Sequence, residues 1–388
     1  MSRFTRSRFA VVWIAAAAAA LALSACSKPG ATNTTPTATG GPIKIALVDA
    51  QSGQLSSLGA WELKGAKLAI DEWNKNGGIN GRQIELGVFD DQGDPTTGTT
   101  LARKIASENY IAMVGTAESA VTIAMAPILR DAGIPNITSG QSTGLVAVKS
   151  PFLFLNGPTS TTYDETLAKY VVDTKGLKQV AMITNNGSYG KGEHDAFLKS
   201  LQSRSITPLD DQVVTTDQKD FTAQLTSIRS KNPQVIFIGA EEVESGLIVK
   251  QARSLGITAP FAGGAPQGTP VYLSTAGAAA VEGTFVSSPY LSNDINDASR
   301  KFSAAYKAAY NEDAELHGAK AYDGMMILAA AVKITKGNIN GDALAAAMHK
   351  VQYKGLLGKF SFDSKGLGLH DTQIGIIKKG KLTIPADS

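Results

Sequence analysis

The sequence predicts an α/β protein built from two doubly wound, parallel-sheet domains in succession. Short runs rich in β-branched residues alternate with amphipathic stretches from Ile43 almost to the C-terminus, and this alternation is typical of parallel sheets covered on both faces by helices. The strands outnumber those of one doubly wound domain, and 388 residues are enough for two domains of ordinary size. No unit of about 20–50 residues repeats, which argues against a solenoid.

Residues 1–26 have the layout of a secretory signal peptide. A basic start is followed by an uninterrupted apolar run from Phe9 to Leu23 and then by small residues. The run is shorter than the ~20 residues that a membrane-spanning helix needs, so an uncleaved anchor is the less favoured alternative. The basic start consists of Arg3, Arg6 and Arg8.

Leu23-Ser24-Ala25-Cys26 resembles a bacterial lipobox and contains the only cysteine, so no intrachain disulfide is possible. The resemblance implies that Cys26 is acylated, becomes the mature N-terminus and anchors the exported protein to the outer face of the cytoplasmic membrane. Residues 27–42 are mostly small and polar. They predict a flexible linker between the membrane and the folded part, which begins at Ile43.

The first half of the folded part shows regular strand–helix alternation. One helix has its apolar residues at helical spacing and ends at Gly77-Gly78. The next opens with Asp94 as N-cap and Pro95 as first residue. We predict strands over residues 43–49, 83–89, 111–114, 135–138 and 152–155, and helices over 60–75, 95–108, 119–131 and 162–175.

The second half continues the same alternation and ends differently. Residues 358–363 and 372–378 predict two final strands joined by a glycine-rich turn. The other predicted strands cover 179–184, 212–215, 235–239, 261–263 and 283–287, and the helices cover 191–203, 221–231, 243–255, 296–310, 318–335 and 342–349.

Three loops of the first domain carry small hydroxyl residues where predicted strands end. They are residues 52–57, 115–119 and 139–143. Ligands of open parallel sheets lie beyond the carboxyl ends of the strands. Ser119 is predicted at a helix N-cap, where free N–H groups and a hydroxyl suit a carboxylate. Ordinary caps and turns favour the same residue types, which is the alternative for any single loop.

Acidic residues follow one strand of the second domain. Glu241 comes first past the strand that ends at Gly239, and we single it out as a site candidate. Glu242 and Glu244 are expected at a solvated helix start, where acidic residues are favoured. The four histidines, His194, His317, His349 and His370, are expected on the solvated surface.

Residues 140–144 match the G-x-S-x-G pattern of a nucleophile elbow around Ser142. An elbow needs a helix after the turn, and residues 146–151 do not make a convincing one. A surface serine hydrolase using Ser142 is therefore only a remote alternative.

Charge and motifs exclude several function classes. Of the 37 lysines and arginines, three precede Cys26, whereas none of the 34 acidic residues does, so the mature part has 34 of each and no net charge. Nucleic-acid binding needs a basic footprint and is not expected. Residues 90–94 lack the spacing of a calcium loop, and no zinc, phosphate-loop or dinucleotide motif is present. We predict no metal and no cofactor.

An ordered set of short motifs resembles the leucine/isoleucine/valine-binding family of type I periplasmic binding proteins. The resemblance runs from Ile43 to the C-terminus. Its motifs are Ile43–Leu47, Ser52-Gly53, Gly65-Ala66, Asn76–Arg82, Asp90-Asp91, Asp94-Pro95, Ala126-Pro127, Gly133–Pro135, Tyr189-Gly190, Gln251–Arg253 with Gly256, Ala321–Gly324 and Phe360–Asp363 with Gly366.

The resemblance implies a two-lobed clamshell whose lobes are joined by three hinge crossings. Residues 43–157 and 288–374 form its N-terminal lobe, and residues 158–287 and 375–388 form its C-terminal lobe. It also implies a monomeric, non-enzymatic solute-binding subunit that delivers a small carboxylate-bearing solute, most often an amino acid, to the permease of an ATP-binding cassette (ABC) importer. A ligand-sensing module with the same fold is the alternative.

The resemblance also assigns ligand-binding positions. Ser119 matches the serine that grips the ligand carboxylate, and Gly140, Ser142 and Thr143 match the loop after the fourth strand. Tyr189 matches an aromatic residue of the second lobe, and Leu58 stands where a tyrosine is common. Ala265 stands where the family has the acid that receives the ligand ammonium. Glu241 is our candidate to replace that acid; otherwise the ligand is a carboxylate or amide without an ammonium group.

Overall fold

The structure, a computed structural model, describes residues 41–288, 290 and 296–387. The predicted signal peptide, Cys26 and residues 27–40 of the predicted linker lie outside the described residues. The predicted α/β class with parallel sheets is confirmed.

A five-stranded sheet with every pairing parallel occupies the first part of the chain. Its strands run in the order β2-β1-β3-β4-β5, so the loops after β3 and β4, two of the three predicted to carry ligand groups, leave neighbouring strands. The strands are β1 (Ile43–Asp49), β2 (Ile84–Asp90), β3 (Ala112–Gly115), β4 (Asn136–Thr138) and β5 (Leu153–Leu155).

Helices cover both faces of this sheet. Apolar side chains of β1 and β3 pack on one side against α1 (Ser56–Lys75), α11 (Leu316–Ile334) and α12 (Gly341–Met348). On the other side they pack against α2 (Pro95–Ser107) and α3 (Ser119–Asp131). Burial of these branched side chains supplies the main stabilisation of the layer.

The second large sheet has seven strands in the order β15-β14-β10-β9-β8-β6-β7. The pairings among β6 to β10 are parallel, whereas β14 pairs antiparallel with β10 and with β15. The strands are β6 (Val180–Asn185), β7 (Asp210–Val214), β8 (Val235–Gly239), β9 (Phe261–Gly263), β10 (Phe285–Ser288), β14 (Gln373–Lys378) and β15 (Lys381–Thr383).

The remaining helices lie between these strands in sequence. They are α4 (Gly144–Ala147), α5 (Ser160–Ala168) with a π-helical continuation (Lys169–Thr174), α6 (Ser188–Gln202), α7 (Thr222–Ser230), α8 (Glu242–Ser254), α9 (Pro270–Ala276) and α10 (Asp297–Tyr310). The helix α10 begins with a reciprocal capping box between Asn296 and Ser299, which fixes its start.

The end of the chain differs from the prediction. Residues 358–363 and 372–378 were expected to be joined by one turn, but they belong to different sheets. A separate three-stranded antiparallel sheet contains β11 (Gln352–Gly355), β12 (Gly358–Phe362) and β13 (Gly368–Leu369), while β14 pairs with β10. The strands β11, β13 and β15 and the helices α4 and α9 were not predicted.

Candidate functional site

A small cavity lies between the two large sheets, where the loops after their strands converge. Its volume is about 30 Å³, roughly the space of one water molecule. A solute of amino-acid size therefore fits only when the two walls move apart. The lining residues are Leu58, Ala117, Glu118, Ser139, Gln141, Tyr189, Glu241, Glu242, Ala265, Pro266 and His317.

The structure brings three of the predicted site residues to this cavity. Leu58 reaches it from α1, Tyr189 from α6, and Glu241 from the loop after β8. Ala265 also lines it, with a methyl group where the family resemblance places an acid. Predicted residues from both halves of the chain thus meet at one place.

Ser119, Gly140, Ser142 and Thr143 are not among the residues that line the cavity. Ser119 was expected at the N-cap of α3, but Glu118 occupies that position and Ser119 is the first helical residue. The Ser119 hydroxyl is buried and accepts a hydrogen bond from the Ser142 amide at 3.2 Å. This bond ties the loop after β4 to the start of α3.

The Ser142 side chain forms a hydrogen bond to α6, the helix that follows β6 of the seven-stranded sheet. Its hydroxyl donates to the carbonyl of Ser188, in the first turn of α6, at 2.7 Å. Gly192 permits this approach, because a Cβ there would come within 2.9 Å of Ser142 Oγ. Thr143 lies on an outer groove beside α4.

Glu241 is the N-cap residue of α8, yet its side chain makes no capping hydrogen bond. It faces the cavity instead. Burial raises the pKa of Glu241 well above its ordinary value, and the neighbouring charge of Glu118 adds to the shift. The carboxyl is therefore positioned for a group in the cavity and does not serve its own helix.

Glu242 and Glu244 are buried, so the expectation of a solvated helix start is wrong. Glu242 accepts a hydrogen bond from the hydroxyl of Ser57 in α1, which links the two walls of the cavity. Glu244 accepts from the Asn185 amide group and from the Asp217 backbone. The start of α8 is buried among donors from α1, from the end of β6 and from the loop after β7.

Glu118 contributes a second carboxyl from the opposite wall. Burial raises its pKa to about 8, and the charge of Asp49 adds to the effect. The side chain makes no capping hydrogen bond to α3. A cation entering the cavity favours the ionised form of such a group.

His317 is buried at the cavity wall, which corrects the prediction that it is solvated. Its Nδ1 lies 2.9 Å from Oε2 of Glu315, and its ring stacks on Trp61 with centroids 6.1 Å apart. Burial opposes protonation of His317, but the Glu315 carboxylate outweighs it and raises the pKa overall. The first turn of α11 packs against α1 and thereby carries the ring inward.

A fully buried polar network lies beneath the cavity wall on the side of the five-stranded sheet. The Ser139 hydroxyl donates to Glu62, and the Ser139 carbonyl accepts from Lys320 Nζ at 2.9 Å. Burial raises the pKa of Glu62 to about 7 and lowers that of Lys320 to about 8. Because Ser139 also lines the cavity, this network holds that part of the wall in place.

No three His, Cys, Asp or Glu side chains within the described ranges are grouped in a way that suits a metal ion. Within residues 41–288, 290 and 296–387, no helix has both the length and the apolar character needed to cross a membrane.

The profile of the periplasmic binding protein family matches residues 42–381. The chain belongs to this family. Like other periplasmic binding proteins it is a solute-binding protein and not an enzyme, so the hydrolase alternative at Ser142 is wrong.

Relatives of this periplasmic binding protein include a Leu/Ile/Val-binding protein of Rhizobium johnstonii. That protein is 29% identical over 314 residues, which cover 79% of this chain and 83% of the relative. The leucine-, isoleucine-, valine-, threonine- and alanine-binding protein of Pseudomonas aeruginosa is 24% identical, covering 84% of this chain and 86% of its own length. The resemblance to the leucine/isoleucine/valine-binding family is thus confirmed.

Solved structures of similar proteins agree with the fold. The branched-chain amino acid transporter substrate-binding protein of Streptococcus pneumoniae, in complex with isoleucine, has a TM-score of 0.82 at 28% identity and covers 88% of this chain and 97% of its own. A solute-binding protein of R. palustris in complex with benzoate has a TM-score of 0.81 at 23% identity, covers 89% and 95%, and shows the shared fold alone.

Sequence reasoning missed Glu118, Gln141, Glu242 and His317 as cavity residues of this binding protein. Glu118 and Gln141 stand inside loops that the strand-end argument had already marked. His317 lies one residue before the predicted start of α11. A search for acids as well as hydroxyls in strand-end loops and at helix starts finds Glu118 and Glu242, but it does not find Gln141 or His317.

Proposed function

We propose that this chain is the extracytoplasmic substrate-binding subunit of an ABC importer, and that its solute is an amino acid. The two lobes, residues 43–157 with 288–374 and residues 158–287 with 375–388, close on the solute and present it to the permease. The observation that carries the proposal is the convergence of strand-end loops from both sheets on one cavity, with a free carboxyl at Glu241.

The acidic wall favours a solute with an ammonium group. Burial and four neighbouring carboxyls raise the pKa of Glu241, and no lysine, arginine or histidine is among the main causes of the shift. A buried ammonium needs a carboxylate because an unpaired buried charge is very costly. Glu241 therefore takes the role that Ala265 does not fill.

The opposite end of the solute faces the start of α3. Backbone N–H groups at a helix N-terminus suit a carboxylate. We assign Ser119 to this end, with its hydroxyl held by the Ser142 amide. Gly140 supports the arrangement, since a Cβ there would come within 3.1 Å of Ser119 Oγ. Tyr189 and Leu58 supply the remaining contacts from the cavity wall.

A ligand screen followed by calorimetry tests this proposal. Amino acids that raise the melting temperature are titrated alongside their 2-keto acids, which lack the ammonium group. We expect each keto acid to bind at least about tenfold more weakly, and Glu241→Gln to weaken amino-acid binding to a similar degree. Glu85→Gln, at an exposed position of β2, is the matched control. Unchanged affinity in Glu241→Gln refutes the assignment of Glu241.

Ala265 supports a second candidate solute, a carboxylate or amide without an ammonium group. Its methyl group lines the cavity where the family resemblance places an acid. The three glutamates on the walls disfavour an ammonium-free acid, because such an acid has no cationic group to balance their charge. An uncharged amide does not meet this repulsion. If only keto acids or other ammonium-free acids bind, this second candidate replaces the first.

We also propose that acylated Cys26 anchors the protein to the outer face of the membrane. The support is the sequence Leu23-Ser24-Ala25-Cys26 followed by a small, polar stretch. Cys26→Ser should release the protein from the membrane fraction into the soluble fraction, measured by fractionation and immunoblotting. Retention of the variant in the membrane fraction contradicts the anchor.

A further inference from the structure

The walls of the cavity carry more carboxyl groups than one ammonium group needs. Glu118 lies on one wall, and Glu241 and Glu242 lie on the other. No lysine or arginine of the described residues lines the cavity, and the imidazole of His317 is already paired with Glu315. A solute with a single ammonium group paired to Glu241 therefore leaves the carboxyls of Glu118 and Glu242 without a cationic partner in a desolvated space.

One carboxylate oxygen of Glu242 has no hydrogen bond of ordinary geometry, although the Thr269 hydroxyl, which donates to the Pro266 carbonyl, also acts on this carboxyl. The residue is only 1% exposed, and the Ser57 hydroxyl donates to its Oε1. Its Oε2 is buried and has no hydrogen-bond partner among the described residues. Buried polar atoms in native proteins are nearly always paired, so this oxygen points to a donor brought by the solute.

Glu118 faces the same space from the first wall. It is 9% exposed and lines the cavity, although it occupies the N-cap position of α3 without capping it. Burial raises its pKa to about 8, and the charge of Glu242 contributes to the shift. Two carboxyls that share one desolvated space are stabilised by a cation between them.

We propose that Glu118 and Glu242 form a second cation subsite, and that the solute is a basic amino acid with a positively charged side chain. This inference rests on the proposed function, in which Glu241 receives the α-ammonium group. The side-chain ammonium or guanidinium of the solute then bridges the two walls. Solute binding and closure of the walls are coupled through this bridge.

Calorimetry with L-lysine and L-norleucine tests the subsite, because the two differ only in the terminal ammonium group. We expect lysine to bind wild type at least about tenfold more tightly, the effect of a charge-assisted hydrogen bond. Glu118→Gln and Glu242→Gln should each reduce this preference severalfold, whereas Glu85→Gln should not. Melting curves of each variant establish that it is folded.

Two other outcomes separate this inference from the proposed function. If norleucine or leucine binds wild type as tightly as lysine, the second cation subsite is refuted and the amino-acid function stands. If cadaverine, which has both ammonium groups but no carboxylate, binds as tightly as lysine, the subsite is supported and the amino-acid assignment is refuted. If neither lysine nor norleucine binds, the inference is wrong.

Discussion

Glu242 joins the two walls of the cavity through a hydrogen bond from Ser57, and Ser142 joins them through its bond to the Ser188 carbonyl. Lys219 adds a third link at 2.8 Å to Gln54. Each of these bonds exists only while the walls are together. They therefore contribute to solute affinity through the closed form, because a solute binds tightly only when that form is stable.

Ser57→Ala tests the hydrogen bond from Ser57 to Glu242. Removing the hydroxyl leaves Glu242 without its donor across the cavity, and a hydrogen bond to a charged group contributes about 1.5–3 kcal/mol. We expect the Kd of the solute to rise about tenfold or more, measured by calorimetry. Ser56→Ala is the control, because Ser56 is the neighbouring residue and does not form the hydrogen bond to Glu242. Equal affinities of the two variants would show that the link contributes nothing to binding.

The start of α3 shows what the sequence can and cannot predict at this scale. The span of the helix, residues 119–131, agrees with the prediction. The preference of serine for N-caps predicted Ser119 as the cap residue, whereas the cap residue is Glu118 and Ser119 is the first helical residue. Glu118 occupies the cap position without capping the helix, and its side chain lines the cavity among residues distant in sequence. Such neighbours leave no local signal.

Among the elements, α1 and α11 cross at a pair of glycines. A Cβ on Gly65 would overlap the backbone carbonyl of Gly318. The crossing places His317 beside Trp61, with the two rings stacked at the cavity wall. The close approach of the two helices thus positions a residue of the site.

Gly65→Ala separates packing from helix propensity. Alanine is the better helix former by about 1 kcal/mol, so propensity alone predicts a more stable protein. The overlap with Gly318 predicts the opposite, and we expect the free energy of unfolding to fall by about 1–3 kcal/mol in chemical denaturation. Lys67→Ala, at an exposed position of the same helix, should change it by less than about 0.5 kcal/mol. A stabilised Gly65→Ala variant would contradict the crossing.

Most helices and central strands follow from periodicity and caps, such as Asp94, whose side chain accepts from the Thr97 amide at 2.7 Å. The errors lie where pairing is non-local. Residues 358–363 and 372–378 are neighbours in sequence, but β12 pairs with β11 and β13, while β14 returns to β10. The strand β13 has only two residues, too few for a periodic signal.

At the scale of the whole molecule, buried acids make stability depend on pH in an unusual direction. Burial is the main cause of the raised pKa in each of five acids, to about 7 in four of them and to about 8 in Glu118. The five are Glu62, Asp91, Glu118, Glu193 and Asp323. Between their ordinary pKa values and these raised ones, the folded state binds more protons than the unfolded state, so stability falls as pH rises.

We therefore expect the solute-free protein to melt at a lower temperature at about pH 8 than at about pH 6.5. Two buried groups with lowered pKa values limit this pH range. Burial lowers the pKa of His370 to about 4, so His370 opposes the trend only below the ordinary pKa of a histidine. Burial lowers the pKa of Lys320 to about 8, so Lys320 opposes the trend only above about pH 8. Melting followed by circular dichroism checks the direction. An equal or higher melting temperature at about pH 8 would show that these acids are ionised in the fold.

Opening and reclosure of the two lobes is the central claim, since the walls, which lie together around a cavity of about 30 Å³, must move apart to admit an amino acid and then close on it. Domains joined by a few crossings open and close by hinge motion. Small-angle X-ray scattering of the wild-type protein, without solute and with a saturating amino acid identified by the screen, measures this directly. The account predicts a smaller radius of gyration with the solute bound, and an unchanged radius of gyration at saturation would contradict it.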